Sequence, residues 1–171
     1  ITAGADAFIS KPLFKSKMLH VLQLFCDTYK DDCDGDIVPE LHKELAGKKV
    51  LLVEDNELNR EIAVELLEMQ GLKVEAAENG KVAVEMFAMS VPGYYDVVLM
   101  DIQMPVMDGY EATAALRALP RRDAVSIPIL ALTANAFITD AGKAKNAGMN
   151  DHITKPINLD VLFAALYKWL V

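Results

Sequence analysis

Four short apolar runs in this chain each end in a polar residue that phosphate chemistry can use. Val50 to Val53 runs into Glu54 and Asp55, Val97 to Met100 into Asp101, Ile129 to Leu132 into Thr133, and His152 to Thr154 into Lys155. Buried parallel strands read as continuous apolar runs, and open doubly wound sheets bind ligands beyond the carboxyl ends of their strands, where the strand order reverses. Such a sheet would gather three carboxylates, a hydroxyl and an ammonium in one place. Two carboxylates about 4 Å apart repel by roughly 4 kcal/mol at an effective dielectric near 20. Three together must take up protons or hold a cation. All the candidate ligands are oxygens, which favours Mg²⁺ or Mn²⁺ over zinc. A carboxylate in such a setting can attack phosphorus while a metal, a lysine and a hydroxyl hold the equatorial oxygens, and Asp101 is the best candidate for that attack.

The stretches Val53-Glu54-Asp55-Asn56, Leu99-Met100-Asp101-Ile102-Gln103-Met104-Pro105-Val106-Met107-Asp108-Gly109, Ala131-Leu132-Thr133-Ala134 and Thr154-Lys155-Pro156 resemble the receiver domain of two-component signalling, over about residues 47–171. An acidic pair alone would be a weak signal; four motifs in the right order make coincidence a poor explanation. The resemblance implies an α/β fold, a doubly wound five-stranded parallel sheet of order 2-1-3-4-5 with helices on both faces. It implies that Glu54 and Asp55 form the acidic metal pair around Mg²⁺ or Mn²⁺, with Asp101 and the backbone carbonyl of Gln103 as further ligands. Asp101 would accept the phosphoryl group, Thr133 hydrogen-bond it and Lys155 ion-pair with it. Thr133 and His152, the latter where relatives carry Tyr or Phe, would be the switch residues, and the Lys155–Pro156 peptide would be cis. Gln103 and Asn135 flank the site and would influence how fast water removes the phosphate.

The donor implied is a phosphohistidine on a histidine kinase core or a histidine phosphotransfer domain. It would dock over the strand ends through Asn56, Leu58, Asn59 and Ile62, with Met104-Pro105 and Pro156. The domain would catalyse its own phosphorylation, and its parent would be a hybrid sensor histidine kinase with receivers in series, or a tandem-receiver regulator.

Blander readings compete at single positions. Glu54 and Asp55 would each stabilise a helix N-terminus by roughly 0.3 to 1 kcal/mol. Thr133 would serve as an ordinary strand-end hydroxyl, Lys155 as a solvated cation, and His152 as a partly buried strand residue. Met100, Met104 and Met107 read as packing, and His20 and His42 as surface and linker residues. Other functional classes are weaker. A haloacid-dehalogenase-like phosphohydrolase wants a second acid where this chain has Gln103, a metal nuclease leaves Thr133 and Lys155 without purpose, and a phosphate-independent interaction module does not need all five chemical residues.

The elements that must position these groups follow from pattern. Leu58, Ile62, Leu66 and Met69 recur at helical spacing after Asp55, and Gly71 stops that helix. Val74 and Ala76 alternate with Glu75 as in a strand near the sheet edge. Further helices are expected from Gly80 to Phe87, from an Asp108 cap to Leu119, from Phe137 to Ala147, and after an Asn158 cap. That is strand then helix, five times. The uncharged stretch Ala124 to Thr139 reads as a buried strand and its loop, too short for a membrane span. The 171 residues, 53% hydrophobic and 25% charged, suit one good core. A net charge of -8 with no basic stripe argues against nucleic acid as a partner. Cys26 and Cys33 match no metal spacing and no signal peptide is evident, so a cytoplasmic setting is expected, without membrane contact by this segment, even if the parent is membrane-anchored.

The chain also repeats itself. Shifted by 144 positions, Ala3-Gly4, Ile9, Lys11-Pro12 and Leu22 coincide with Ala147-Gly148, Ile153, Lys155-Pro156 and Leu166. Residues 1–26 are therefore expected to be the last strand and helix of a preceding, truncated receiver, and Ile1 in place of Met fits a piece of a longer protein. The apolar face Leu13, Phe14, Met18, Leu22 and Phe25 is expected to pack on this receiver or to self-associate with a neighbouring copy. Residues 27–46, with seven acids against two lysines plus Gly35 and Pro39, read as an extended acidic linker in which Leu41 and Leu45 could seat a helical turn.

Overall fold

The computed structural model describes residues 44–134, 138–155 and 157–171. The expectations for residues 1–43, including Cys26, Cys33, His20 and His42, and those for Asn135, Phe137 and Pro156, lie outside the described residues. Five strands, β1 (Lys49–Val53), β2 (Lys73–Ala77), β3 (Val97–Asp101), β4 (Ile129–Thr133) and β5 (Asp151–Thr154), pair in parallel in the order β2-β1-β3-β4-β5, as expected. The described helices are α1 (Glu57–Met69), α2 (Gly80–Met89), α3 (Gly109–Arg117), α4 (Arg122–Ser126), α5 (Ile138–Ala147) and α6 (Leu159–Leu170).

Successive side chains of each strand point to opposite faces of the sheet, so the apolar runs feed two cores. Leu51, Val53, Val98, Met100, Ile129 and Ala131 pack with Ala83 and Phe87 of α2 and Ala112 and Leu116 of α3. Val50, Leu52, Val97, Leu99, Leu130, Leu132 and Ile153 pack with Leu67 of α1 and with Leu162 and Leu166 of α6. Because β1 has β2 on one side and β3 on the other, chain connections leave in opposite directions between them. The carboxyl ends of β1 and β3 consequently open into one cleft.

Short polar side chains fix where the helices begin. Asn56, Asn79 and Asn158 each accept backbone N–H groups of the turn they open, and Asp108 and Glu111 close a reciprocal capping box on α3. Gly71, at φ +81°, follows the end of α1 in the left-handed conformation that a side chain disfavours.

In four of its elements and boundaries the structure differs from what the sequence leads one to expect. In α1 the buried positions are Ala63 and Leu67, whereas Leu58, Ile62 and Met69 are exposed, so the apolar spacing marked the outer face. Helix α4 interrupts the strand-then-helix alternation, and Ala124 to Ser126 belong to it rather than to a strand or its loop. Leu45 is fully buried among Val50, Leu67, Leu72 and Val97, so the packed domain begins before residue 47 instead of after a solvated stretch ending at Ala46. In β2, Ala76 faces solvent and Ala77 is buried, while the half-buried Glu75 accepts hydrogen bonds from the Tyr94 and Tyr95 hydroxyls, both at 2.6 Å.

Helix α4 has a tertiary cause. Arg121 precedes it, ion-pairs with Asp123 at 2.6 Å, stacks over the Phe87 ring, and donates to the carbonyls of Phe87 and Ser90 at the end of α2. Asp123 also accepts the Gly93 N–H at 2.8 Å, and its carboxyl is held down to a pKa of about 2, chiefly by the Arg121 hydrogen bond. Arg117 does similar work without a carboxylate: its guanidinium donates to the carbonyls of Ala124 and Gly148 and to the Asn150 side chain, tying α4 to the end of α5.

Candidate functional site

The strand ends bring the chemical residues together. Glu54 follows β1, Asp101 ends β3, Thr133 ends β4 and Lys155 follows β5. Oxygens of Glu54, Asp55 and Asp101 lie within 4.8 Å of one another, a set that could hold a metal ion. Glu54 and Asp101 are 2% and 5% exposed, whereas Asp55 faces solvent. The Lys155 ammonium bridges the two buried acids, donating to Glu54 Oε2 and to Asp101 Oδ2, both at 2.6 Å. The other Asp101 oxygen accepts the backbone N–H of Gln103 at 3.1 Å.

Burial sets the electrostatics here. It raises the Asp101 carboxyl above its ordinary value, and the Lys155 hydrogen bond and charge offset this only in part. Burial would lower Lys155, but hydrogen bonds to Asp101 and Glu54 outweigh it and raise the ammonium. One cation among three carboxylates leaves an excess of negative charge. That excess is what a divalent ion would neutralise.

Thr133 is buried at the end of β4, and its carbonyl accepts the Lys155 N–H at 2.7 Å, which fixes where the lysine leaves the strand. His152 lies on β5 opposite Ala131 and is exposed rather than partly buried. Beside Lys155 and Glu54 a cavity of about 250 Å³ runs between α1 and α6, walled by Ile62, Leu66, Ile157 and Leu162. Ile62, which lines it, is 38% exposed, and Leu58, one turn earlier on α1, is 61% exposed.

Three supports of the site escaped sequence reasoning. Asn59 donates from its side chain to Glu54 Oε1 at 3.1 Å, and Arg60 donates to the backbone carbonyls of Glu54 and Asp55. Gly109 packs so tightly on the end of β3 that a Cβ there would sit 2.2 Å from the Asp101 carbonyl oxygen. A glycine directly after a capping aspartate was the available signal for the last of these.

The loop from Asp101 to α3 is strained at Val106, which has φ +72° and is 77% exposed. Met107 N–H donates to Pro105 carbonyl at 2.8 Å, closing a γ-turn around Val106. Positive φ is costly for a β-branched residue, by roughly 1–2 kcal/mol. Val106→Gly should therefore raise unfolding free energy by about 1 kcal/mol, after the greater unfolded-state entropy of glycine is subtracted. Urea denaturation checks this; a less stable variant would mean that the valine side chain contributes contacts that outweigh its strain.

Residues 50–167 match the family model described as response regulator receiver domain. The chain is 42% identical over 140 residues to the aerobic respiration control sensor protein ArcB of Escherichia coli, an alignment covering 81% of this chain and 17% of that protein. With hybrid signal transduction histidine kinase I of Dictyostelium discoideum it shares 38% identity over 125 residues, covering 72% of this chain and 7% of the kinase. The chain thus spans less than a fifth of the length of these curated relatives. Among solved structures, the receiver domain of the Pseudomonas aeruginosa sensor histidine kinase PA1611, which has a magnesium ion coordinated in its active-site cleft, superposes with a TM-score of 0.66 at 38% identity, covering 73% of this chain and 98% of that one. The receiver domain of the Saccharomyces cerevisiae response regulator Ssk1, crystallised with the histidine phosphotransfer protein Ypd1, gives a TM-score of 0.65 at 31% identity, covering 74% of this chain and 90% of the matched chain.

Proposed function

Because this chain belongs to the response regulator receiver domain family, we propose that its Asp101 accepts a phosphoryl group from a phosphohistidine in a cation-dependent relay. The observation that carries the reading is the convergence at Asp101 of two further carboxylates and the Lys155 ammonium from separate strand ends. The donor set, oxygens without nitrogen or sulfur, fits a hard divalent cation. Glu54, Asp55, Asp101 and the backbone carbonyl of Gln103 would hold Mg²⁺ or Mn²⁺, which supplies positive charge against the phosphoryl oxygens when bound. The magnesium in the Pseudomonas receiver supports the assignment.

The chain's own residues do the rest. Lys155, seated on Asp101 Oδ2, favours the ionised carboxylate and so opposes the effect of burial. An Asp101 oxygen attacks phosphorus opposite the donor's imidazole nitrogen. The phosphorus–nitrogen bond breaks, its electron pair returns to the ring, and an acyl phosphate forms on Asp101. Lys155 then gives up Asp101 for a phosphoryl oxygen, and the Thr133 hydroxyl takes another. Movement of Thr133 carries the start of α5 with it and biases a two-state surface that a partner reads. His152, exposed on the neighbouring strand, takes part in that surface.

The donor is a histidine kinase core or a histidine phosphotransfer domain, docked on Leu58, Ile62 and the adjoining cavity. The Ypd1–Ssk1 receiver complex supports a partner of that kind. The parent protein is read as a hybrid sensor histidine kinase, cytoplasmic in this portion, with residues 1–26 ending a preceding receiver and the stretch from residue 27 to just before the buried Leu45 linking it to this one. No helix among the described residues is long and apolar enough to cross a membrane.

The test compares two donors. Leu58→Glu and Ile62→Glu should cut transfer from a phosphorylated histidine phosphotransfer protein at least 10-fold while uptake from a small acyl phosphate stays within twofold, a split set by about 1.4 kcal/mol of lost docking energy. Equal loss with both donors would make the patch structural. Wild-type chain that takes phosphate from neither would end the proposal.

A further inference from the structure

Two residues of α1 to which the transfer chemistry gives no role both point back at the acidic pair. Asn59 donates from Nδ2 to Glu54 Oε1 at 3.1 Å while Lys155 donates to Oε2 at 2.6 Å, so both oxygens of this buried carboxylate are engaged. Arg60 donates from Nη1 to the carbonyl oxygens of Glu54 at 2.8 Å and Asp55 at 3.2 Å. Helix stability explains neither contact. A cation in the first turns of a helix meets the positive end of its dipole, and Asn56 already caps α1. A guanidinium placed there against two successive carbonyls instead fixes the backbone from which the metal-pair side chains project.

We infer that Asn59 and Arg60 are positioning residues that set how tightly Glu54 and Asp55 hold a divalent cation, an inference that rests on the cation-dependent reading above. Lys155 cannot hold Glu54 and a phosphoryl group in full at once. Asn59 keeps Glu54 seated when the lysine turns away. Arg60 does the same for the turn that carries Asp55. Outer partners that hold a ligand in one orientation are worth 10–100-fold in metal affinity.

The experiment is a calorimetric titration of the full chain with Mg²⁺, comparing wild type with Asn59→Leu and Arg60→Met, and a thermal melt of each in EDTA. Both variants should bind Mg²⁺ at least 10-fold more weakly, while Asn59→Leu, close to isosteric, melts in EDTA only a few degrees below wild type, the loss expected for one hydrogen bond. A purely structural role would show the reverse. If Asn59 acts through Glu54, then in a Glu54→Gln background Asn59→Leu should cost no further affinity. Should Arg60→Met not fold, Arg60→Lys retains the charge and loses the planar fork, and it should still bind Mg²⁺ more weakly. Undiminished Mg²⁺ affinity in the variants, against a wild type that binds, overturns the inference and leaves the cation reading standing. A wild type that takes up no Mg²⁺ overturns both.

Discussion

Lys155→Met should lower stability in EDTA by about 3 kcal/mol and make the fold depend on divalent cation. The ammonium lies 2.6 Å from both Glu54 and Asp101, whose side chains are almost fully buried. Removing one member of a buried ion pair leaves the other charge without compensation, at a cost of about 3–5 kcal/mol. The lower figure applies here because Lys155 keeps some access to water. A cation bound among the same carboxylates should restore most of the loss. At a Mg²⁺ concentration 100 times its dissociation constant, ligand linkage contributes about 2.7 kcal/mol. Wild type needs that help less, since its lysine already meets two of the three acids. Denaturant melts with and without Mg²⁺ make the comparison. An Lys155→Met variant as stable as wild type in EDTA would mean that the buried acids are not held by this ammonium.

The second large effect is steric. Gly109→Ala would put a Cβ 2.2 Å from the Asp101 carbonyl oxygen and 2.9 Å from Ile102 Cα, and both are backbone atoms that cannot rotate aside. The clash must push α3 away from the end of β3, breaking the 3.0 Å hydrogen bond from Gly109 N–H to the Ile102 carbonyl. Overpacking costs about 1–3 kcal/mol, and rigid backbone on the far side puts this site at the upper end, about 3 kcal/mol. Because the displaced strand end is Asp101 itself, phosphate uptake from a small donor should fall about 100-fold in the fraction that folds. Gly93 is the internal control. It has φ +77° and open space around its Cβ position, so Gly93→Ala should cost about 1 kcal/mol through backbone strain and leave uptake unchanged. Equal stability losses at the two glycines would contradict the packing argument.

Much of the site was legible because its residues sit where apolar runs stop, and burial on both faces of a parallel sheet makes those runs conspicuous. Val50 to Val53 and Ile129 to Leu132 are buried throughout, and the polar residue after or at each end has no choice of direction. Strand order was a different matter. The run pattern specifies parallel strands, whereas the sequence 2-1-3-4-5 came from resemblance. What stayed hidden depends on tertiary partners. Helix α4 is too short for periodicity to mark, and it forms where Arg121 reaches Asp123 and the end of α2. Leu45 lies within an acidic stretch whose composition reads as solvated, yet its one side chain fills the core beneath Leu67 and Val97. In α1 the more regular apolar stripe faces outward, which fits an apolar surface kept for a partner better than a core face. Val106 is a strand-forming residue type held in a left-handed turn, so local preference pointed away from the conformation the loop imposes.

Whether Asp101 captures phosphorus beside a cation held by its neighbours is decided by locating the modification. The chain is incubated with a small acyl phosphate in Mg²⁺ or in EDTA, reduced with borohydride, and sequenced by mass spectrometry. An aspartyl phosphate so treated becomes homoserine at the modified position. Homoserine is expected at residue 101 in Mg²⁺, little or none in EDTA, and none in Asp101→Asn. Conversion at another acid, or conversion at residue 101 to the same extent in EDTA, would contradict this.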